Sequence, residues 1–576
     1  MKKNILYIAL LTSCFFTQNV ASQGSSKSSN LIATAKETVY LHANTTTLLT
    51  GESFYYSLYC VNMNNYTASP ISKIAYIELI DAGRTSVLKQ KVLLKKGIAQ
   101  GDFFIPTTLK TGNYKLVAYT NWMLNGASSE ISQTDIAIIN PFQPSKEFSN
   151  QELNSIFPVE KRNPEKTSND VLAIETSKKT FASREQVNIT VKPAANIKGN
   201  YSLSVRKIDA LEMAARKSTE ELLSQNKNHP AATASNVFYI PEYRGEVLTG
   251  KIVSKSKTTD VYDKSVALSV PGKSFGFKIV NTDKSGKFIF TLDEHPNTSG
   301  VIIQVVADNR EDYAIEMENW KGFDLSQLNF PPNFSLNANY KKAIENRSTA
   351  NQIENAYYTR KRDSLEAAPK QLPFYNPLQK DYILDDYERF SSFKETIIEI
   401  TRELFYREKN GKYSLHIRNN TTNDGSLDIP LVMVDGLMIQ DNSELFNYNT
   451  NNIYKISIIS KPYIYGSMSF SGIISIITKS YDYQTKASGD FIKKTEISRP
   501  VKNKKYHSPK YDGSHNLERI PDYRYQLLWL PELAVANEPA NVSFYTSDVK
   551  GTFEVILEGF TENGKPVSLR DYIEVQ

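Results

Sequence analysis

Between residues 37 and 140, apolar and polar positions alternate in short runs, each closed by a turn signal. Strands are predicted at Glu37–Leu41, Phe54–Val61, Ile74–Ile80, Ser86–Leu94, Ala99–Ile105, Tyr114–Trp122 and Thr134–Ile139. Thr50-Gly51, Asp81-Ala82-Gly83 and Thr111-Gly112-Asn113 punctuate them. That rhythm predicts a β-sandwich over 37–140. Residues 141–170 are polar, carry Pro141, Pro144, Pro158 and Pro164, and are predicted as a linker. A second β unit is predicted over 171–235, with runs at Leu172–Glu175, Val187–Val191 and Tyr201–Ile208 and a helix or loop excursion at 210–235. A third spans 243–312, with runs at Glu246–Ser254, Ser265–Val270, Phe275–Asn281, Lys287–Leu292 and Gly300–Asp308. The period then lengthens. Residues 335–392 are predicted as a helical or irregular connector, Phe393–Leu404 as an amphipathic helix, and 393–480 as a mixed α/β module. Residues 481–520 hold nine basic against five acidic side chains and are predicted as a basic linker. Runs at Tyr523–Leu530, Ala540–Tyr545, Thr552–Gly559 and Tyr572–Val575 predict a C-terminal β unit over 521–576. The predicted fold class is mainly β: tandem Ig-like sandwiches with an inserted α/β module.

Composition agrees with that pattern. Tyr (34) and Phe (27) are abundant, as half-buried pleated surfaces favour. Lys plus Arg is 68 against 62 for Asp plus Glu, and the small excess includes Lys2 and Lys3. So small a balance predicts no nucleic-acid partner. Two Cys and six His predict neither a disulfide framework nor a multi-Cys zinc site. Lys2-Lys3, the apolar run Ile5–Leu11 and the small-residue exit Val20-Ala21-Ser22 have the form of an export signal, residues 1–22. Cleavage near Ser22 or Gln23 is expected. Leu11-Thr12-Ser13-Cys14 offers the other reading, a lipid on Cys14, but Phe15-Phe16 continue the apolar core. The expected location is the periplasm or the outer membrane, with peripheral membrane association compatible with either leader.

Three stretches resemble known families. Thr38-Val39-Tyr40-Leu41, Leu49-Thr50-Gly51-Glu52-Ser53-Phe54-Tyr55-Tyr56, Gly97–Pro106 and Thr111–Met123 resemble a macroglobulin-type MG2 domain. Val187–Asp209 and the segment from Asp522 to Asp548 are similar to further β units of such arrays. Gly250-Lys251-Ile252-Val253, Val266–Ser269 and Asn281–Phe290 resemble the carboxypeptidase-regulatory-like sandwich. Pro430-Leu431-Val432-Met433-Val434-Asp435-Gly436, Ile453–Ile459, Tyr465-Gly466-Ser467 and Phe470–Lys479 resemble the plug domain of TonB-dependent outer-membrane receptors. Together these are the marks of a Bacteroidetes-type envelope protein. The plug resemblance implies a partner, an outer-membrane β-barrel or transporter. It also implies candidate binding loops at Asp435, Gly436, Tyr465, Gly466 and Ser467.

The departures from these families shape the expectation. A receptor barrel of about 22 strands needs over ~200 strand residues, and the residues after Ser480 show no sustained lipid/lumen alternation. No TonB-contact box stands out near the start of the mature chain. The module is therefore expected to dock on a barrel supplied in trans. A trapping macroglobulin carries a Cys-Gly-Glu-Gln thioester, whereas Cys60 is followed by Val61-Asn62-Met63.

Other chemistry is weakly signalled. Gly272-Lys273-Ser274-Phe275-Gly276 matches a nucleophile elbow, but that device needs a helix after the serine and a strand is predicted. His515-Asn516-Leu517-Glu518 has zinc-ligand spacing without a later His. Asp385, Asp386 and Glu388 suit a solvated strip better than a paired catalytic site. The run from Lys493 to Lys505 suits a solvated linker better than a contact to anionic headgroups. Tyr463, Tyr465 and Trp529 suit packing better than carbohydrate stacking. No catalytic residue, metal or cofactor is assigned. The expected function is a non-enzymatic envelope scaffold or binding protein that docks through its plug-like module. The alternative is macroglobulin-like, non-covalent recognition of a protease or peptide.

Overall fold

The structure is a computed structural model. It describes residues 36–127, 131–143, 166–167, 169–211, 216, 218–219, 221, 238–256, 259–292, 298–332, 336, 338–367, 372–418, 429–513, 517 and 519–576. The leader with Cys14, most of 141–170 and 210–235, and His515 with Glu518 lie outside the described residues.

The first sandwich contains β1 (Glu37–Ala43), β2 (Thr47–Leu49), β3 (Ser53–Asn62), β4 (Ile74–Asp81), β5 (Ser86–Leu93), β6 (Ile98–Phe104), β7 (Gly112–Tyr119) and β8 (Ser132–Ile139). They form two sheets, β1-β3-β6 and β2-β8-β7-β4-β5. Alternate side chains of β3 divide cleanly, as strand geometry requires. Phe54, Tyr56 and Leu58 enter the core between the sheets, and Tyr55 and Ser57 point away from that core, Ser57 buried with its hydroxyl donating to the Pro531 carbonyl at 2.8 Å. Cys60 is a buried core thiol.

The next strands are β9 (Leu172–Thr176), β10 (Thr180–Phe181), β11 (Gln186–Pro193) and β12 (Lys198–Lys207). A third sandwich follows: β13 (Glu246–Ser254), β14 (Ser265–Val270), β15 (Gly276–Asn281), β16 (Lys287–Leu292), β17 (Gly300–Val306) and β18 (Tyr313–Met317). Gly272–Gly276 connects β14 to β15 in an antiparallel pair, so no nucleophile elbow forms there. Helix α1 (Lys341–Ala356) then packs on the first sandwich, and β19 (Ser364–Leu365) follows it.

The plug-like module contains β20 (Lys380–Ile383), α2 (Phe393–Glu399), β21 (Leu404–Lys409), β22 (Lys412–Ile417), β23 (Leu431–Val434), β24 (Leu437–Met438), β25 (Ile453–Ile459), β26 (Tyr463–Tyr465), β27 (Met468–Phe470) and β28 (Ile473–Thr478). The helix is shorter than the pattern predicts: Ser392 and Glu395 form a capping box at its start, and β21 begins at Leu404. The sheet order is β20-β25-β28-β23-β24, with β23 parallel to β28. Ile456, Ile458, Ile474 and Ile476 pack with Phe393 and Ile397 of α2. Leu431, Met433, Ile459 and Ile473 pack with Ala267, Phe277 and Ile279 of the third sandwich. Both faces of the sheet are therefore filled within the chain.

Residues 481–520 depart from the predicted basic linker. Strand β29 (Ile492–Glu496) adds to the edge of β17, and Phe491 and Ile492 enter the third core. Val501 bridges to Val92, and β30 (Lys504–Lys505) pairs with β19. The segment is a strap whose few apolar groups anchor it, whose Lys504 pairs with Asp102 of the first sandwich, and whose Lys493, Lys502 and Lys505 are exposed.

The final strands are β31 (Gln526–Ala536), β32 (Ala540–Tyr545), β33 (Gly551–Thr561) and β34 (Pro566–Val575). They do not form a separate C-terminal unit. The two sheets β10-β34-β33-β12-β31 and β32-β11-β9 close around one core that includes Val187, Leu203, Phe544 and Leu557. The predicted units at 171–235 and 521–576 thus complete a single second sandwich. The fold class is mainly β, in tandem sandwiches.

Candidate functional site

The five loop residues named by the sequence all have partners inside the chain. The Asp435 side chain is buried and caps the end of β28, accepting from the Thr478 N–H (2.7 Å) and the Thr478 hydroxyl (2.6 Å). Burial raises its carboxyl above the ordinary value, and these hydrogen bonds oppose the rise. Gly436 turns the chain at φ 86° against Phe275. The Tyr465 hydroxyl donates to the Phe277 carbonyl, and the Ser467 hydroxyl bonds Asn281. Gly466 sits against the Ile279 carbonyl. These groups fasten the module to the third sandwich. Asp385 pairs with Arg389 and Lys479 on the module's surface, as a solvated strip would.

The outward-facing groups of the same end are different residues. Alternation along Tyr463-Ile464-Tyr465 turns both tyrosines toward the sandwich and leaves Ile464 77% exposed. Ile429 is 72% exposed and Leu378 64%. The pairings Lys380 with Ile458, Ile459 with Ile473 and Leu431 with Ile473 place all three at one end of the five-stranded sheet.

A second locus lies where the first sandwich, α1, the strap and the second sandwich meet. It is a cleft of about 170 Å³. Helical spacing sets Arg347, Asn351, Glu354 and Asn355 on one face of α1. Arg347 is buried and donates to both oxygens of Glu52, to the Thr47 carbonyl and to Asp209. Lys361 Nζ reaches both oxygens of Glu354 at 2.7 Å and the Pro521 carbonyl at 2.8 Å. Arg524 forms a bidentate pair with Asp522, 2.7 Å on each arm.

Aromatic groups line the same space. Tyr55 stacks on Trp529 with ring centres 6.1 Å apart and meets Tyr506 edge-on at 4.9 Å. Tyr358 and Tyr523 are exposed lining residues. Trp529 is only 5% exposed, and its indole N–H has no hydrogen-bond partner among the described residues. His507 Nε2 likewise has none, while the His507 backbone N–H donates to Asp363 at 2.8 Å. Burial lowers the His507 imidazole to about 4, with help from the nearby Arg524 and Lys361 cations. Burial raises the Glu354 and Asp363 carboxyls. Buried polar groups are normally satisfied, and Trp529 and His507 both belong to the lining of this cleft.

Sequence reading placed only Trp529 among candidates, as packing. The other members come from segments hundreds of residues apart, and no spacing links them. Among the described residues no cluster of His, Cys, Asp and Glu suits a metal ion, and no helix is long and apolar enough to cross a membrane.

No family model matches the sequence, and no curated protein matches it. Among solved structures the chain is similar to Escherichia coli alpha-2-macroglobulin activated by porcine elastase, at 10% identity and a TM-score of 0.24, over 94% of this chain and 44% of that one. It is similar to Salmonella alpha-2-macroglobulin reacted with methylamine at 9% identity and a TM-score of 0.24, over 94% and 39%. It is also similar to dimeric latent PorU from Porphyromonas gingivalis at 9% identity and a TM-score of 0.16, over 49% and 33%. The chain spans less than half the length of the macroglobulins it matches. Scores this low map no residue of the cleft onto a residue of those proteins.

Proposed function

We propose that this chain is an exported, non-enzymatic envelope scaffold that docks on an outer-membrane barrel protein through one end of its plug-like module. The observation that carries this reading is the gathering of exposed Leu378, Ile429 and Ile464 at one end of a sheet whose two faces are filled. Contiguous exposed apolar patches mark contact surfaces, and these three side chains offer the aliphatic groups for one. The third sandwich supplies the support, through Gln304 Nε2 donating to the Met438 carbonyl at 2.9 Å and through the Tyr465 bond. Deleting the whole module would strip the third sandwich of its packing partner, so point variants are the cleaner test. Tagged full-length protein recovered from its native envelope in mild detergent should bring down a barrel protein. The double variant Ile429→Asp, Ile464→Asp should not. Recovery of no barrel, or equal recovery by both proteins, overturns the docking reading.

A second reading has its own observation. The cleft between the first two sandwiches, with its buried unpartnered Trp529 and His507 nitrogens, suits non-covalent recognition of a peptide. Tyrosine, tryptophan and arginine are the side chains that dominate such contacts.

A further inference from the structure

The hairpin β21–β22 has one apolar face and one basic face. Asn410 and Gly411 form its two-residue turn at φ 53° and 75°, the type I′ geometry that matches strand twist. That turn fixes the pairs Lys409 with Lys412, Arg407 with Ser414 and Phe405 with His416. Alternation puts Leu404, Tyr406, Leu415 and Ile417 on the inner face, where they join the core of the plug-like module. The outer face therefore carries Phe405, Arg407, Lys409, Lys412 and His416, and Arg418 continues it past β22. Ring contacts agree with this division. Arg407 and Arg418 lie over Phe405 at 5.6 and 5.8 Å, and Phe405 stacks on His416 with centres 5.2 Å apart. Lys394 instead lies over Tyr406 and Tyr413, on the inner side.

Arg407, Lys409, Lys412 and Arg418 are all exposed. Glu408 alternates to the inner side, 3.6 Å from Lys394. Glu403, at the base of the outer face, is held by Lys380 at 2.7 Å and by the Tyr382 hydroxyl. Lys409 and Lys412 stand directly opposite each other. Like charges so placed destabilise a strand pair, and an anion beside them relieves the repulsion. The base of the hairpin adjoins exposed aliphatics. Lys380 follows Leu378 by two residues, and Ile417 lies against Gly472, beside the Ser471 whose N–H donates to the Ile429 carbonyl. Cations on long apolar stems next to exposed aliphatics suit the boundary between lipid headgroups and acyl chains.

We propose that this outer face rests on the headgroup phosphates of an anionic lipid surface, with Lys409 and Lys412 at the leading tip and Arg407 and Arg418 behind them. The face is distinct from the aliphatic end, so the inference goes beyond barrel docking. Charge complementarity selects phosphate-bearing anionic headgroups over zwitterionic ones. Each basic side chain near such a surface strengthens association about fivefold, and added salt weakens it by screening.

The test mixes the full-length protein with two kinds of vesicle, phosphatidylcholine alone and phosphatidylcholine with phosphatidylglycerol in a three-to-one ratio. Co-sedimentation is read at low and high salt. The mixed vesicles should hold the protein about tenfold more tightly or better, and high salt should release it. Lys409→Gln with Lys412→Gln should weaken that binding about tenfold or more. Both side chains are exposed beside the turn, so the melting temperature of this double variant should not fall. Adding Arg407→Gln and Arg418→Gln should abolish the preference for anionic vesicles. Equal binding to the two vesicle types, binding to neither, or undiminished binding by the double variant overturns the inference. In native envelopes, Ser414→p-benzoylphenylalanine, at an exposed position of the same face, should photolabel lipid. Labelling of protein without lipid assigns the face to an acidic protein partner and overturns the inference. The vesicles hold no barrel, so barrel docking stands or falls separately.

Discussion

Arg347 on α1 grips Glu52 with two nearly parallel hydrogen bonds, Nε to Oε1 at 2.6 Å and Nη2 to Oε2 at 2.7 Å. Its third arm reaches Asp209 at 3.0 Å, just beyond β12 of the second sandwich. One buried guanidinium thus ties the helix, the first sandwich and the second sandwich together. Removing one partner of a buried pair leaves an uncompensated charge and costs about 3–5 kcal/mol. Arg347→Ala should lower the first thermal transition by several degrees and make α1 an early site of limited proteolysis. The double variant Arg347→Met, Glu52→Met should recover part of the loss. An unchanged first transition in Arg347→Ala would show that the pair does not hold this junction.

Glu242 makes stability fall as pH rises. It is buried between the first and third sandwiches, where Oε1 accepts from the Tyr76 hydroxyl and the Val247 N–H, both at 3.1 Å. Oε2 has no partner among the described residues. Burial raises the carboxyl to about 7 from an ordinary 4.5. The folded chain therefore holds this proton more tightly than the unfolded chain does. That stabilisation is complete below about 4.5 and is lost as pH climbs through 7. Glu242→Gln keeps the neutral form, so it should be more stable than the wild type at pH 8, by about 1–3 kcal/mol, and equal to it at pH 4.5. Melting curves at the two pH values decide; a constant difference between the proteins would refute the assignment.

Much of the first sandwich is written locally. The predicted strand Phe54–Val61 lies within Ser53–Asn62, because alternation fixes which side chains face the core and Gly51 marks the turn before it. Alternation names a face but not a neighbour. It therefore does not show that Tyr201 pairs with Gly559 across the chain, and it predicts the second sandwich as two units. The strap departs from its predicted linker for a related reason. Its charge dominates its composition, while Phe491 and Val501, two apolar residues far apart, decide where it lies. In the candidate site, the plug resemblance points to a loop at Tyr465-Gly466-Ser467, but only the structure shows a hairpin there with Ile464 as the group left outside. The cleft was illegible because Trp529, His507 and Arg347 share no local pattern.

Gly436 and Gly411 make a matched test of close packing. Both have positive φ, 86° and 75°. A Cβ on Gly436 would lie 2.2 Å from the Phe275 Cβ, an atom that cannot swing aside, whereas a Cβ on Gly411 meets nothing within 4 Å. Gly411→Ala should cost only the backbone strain, about 1 kcal/mol. Gly436→Ala adds an overpacking penalty of about 1–3 kcal/mol and should loosen the module from the third sandwich. Hydrogen exchange at β15 and β24 should rise in Gly436→Ala alone. Equal exchange in the two variants would mean that the module is not held through this contact.

His42 places an acid-sensitive group between the first two sandwiches. Its Nδ1 meets the Ser202 hydroxyl at 2.5 Å and its Nε2 faces Arg216 at 3.4 Å. The ring lies against Trp529, and Tyr40, Tyr59 and Glu558 complete the buried polar cluster. Burial, and then the Arg216 charge, hold the imidazole well below its ordinary 6.5. A depressed group contributes stability that is present above 6.5 and lost as pH falls. His507 acts in the same sense, down to about 4, at the edge of the same junction. Between pH 6.5 and 5, in a Glu242→Gln background that removes the opposing carboxyl, the chain should therefore lose thermal stability, and its radius of gyration should grow as the two sandwiches part. His42→Gln should remove a large share of that loss, and His42→Gln with His507→Gln should flatten the curve over this range. If the double variant loses stability as steeply as its parent, the histidines do not control the junction; Glu558, whose carboxyl burial raises, would change stability in the opposite sense.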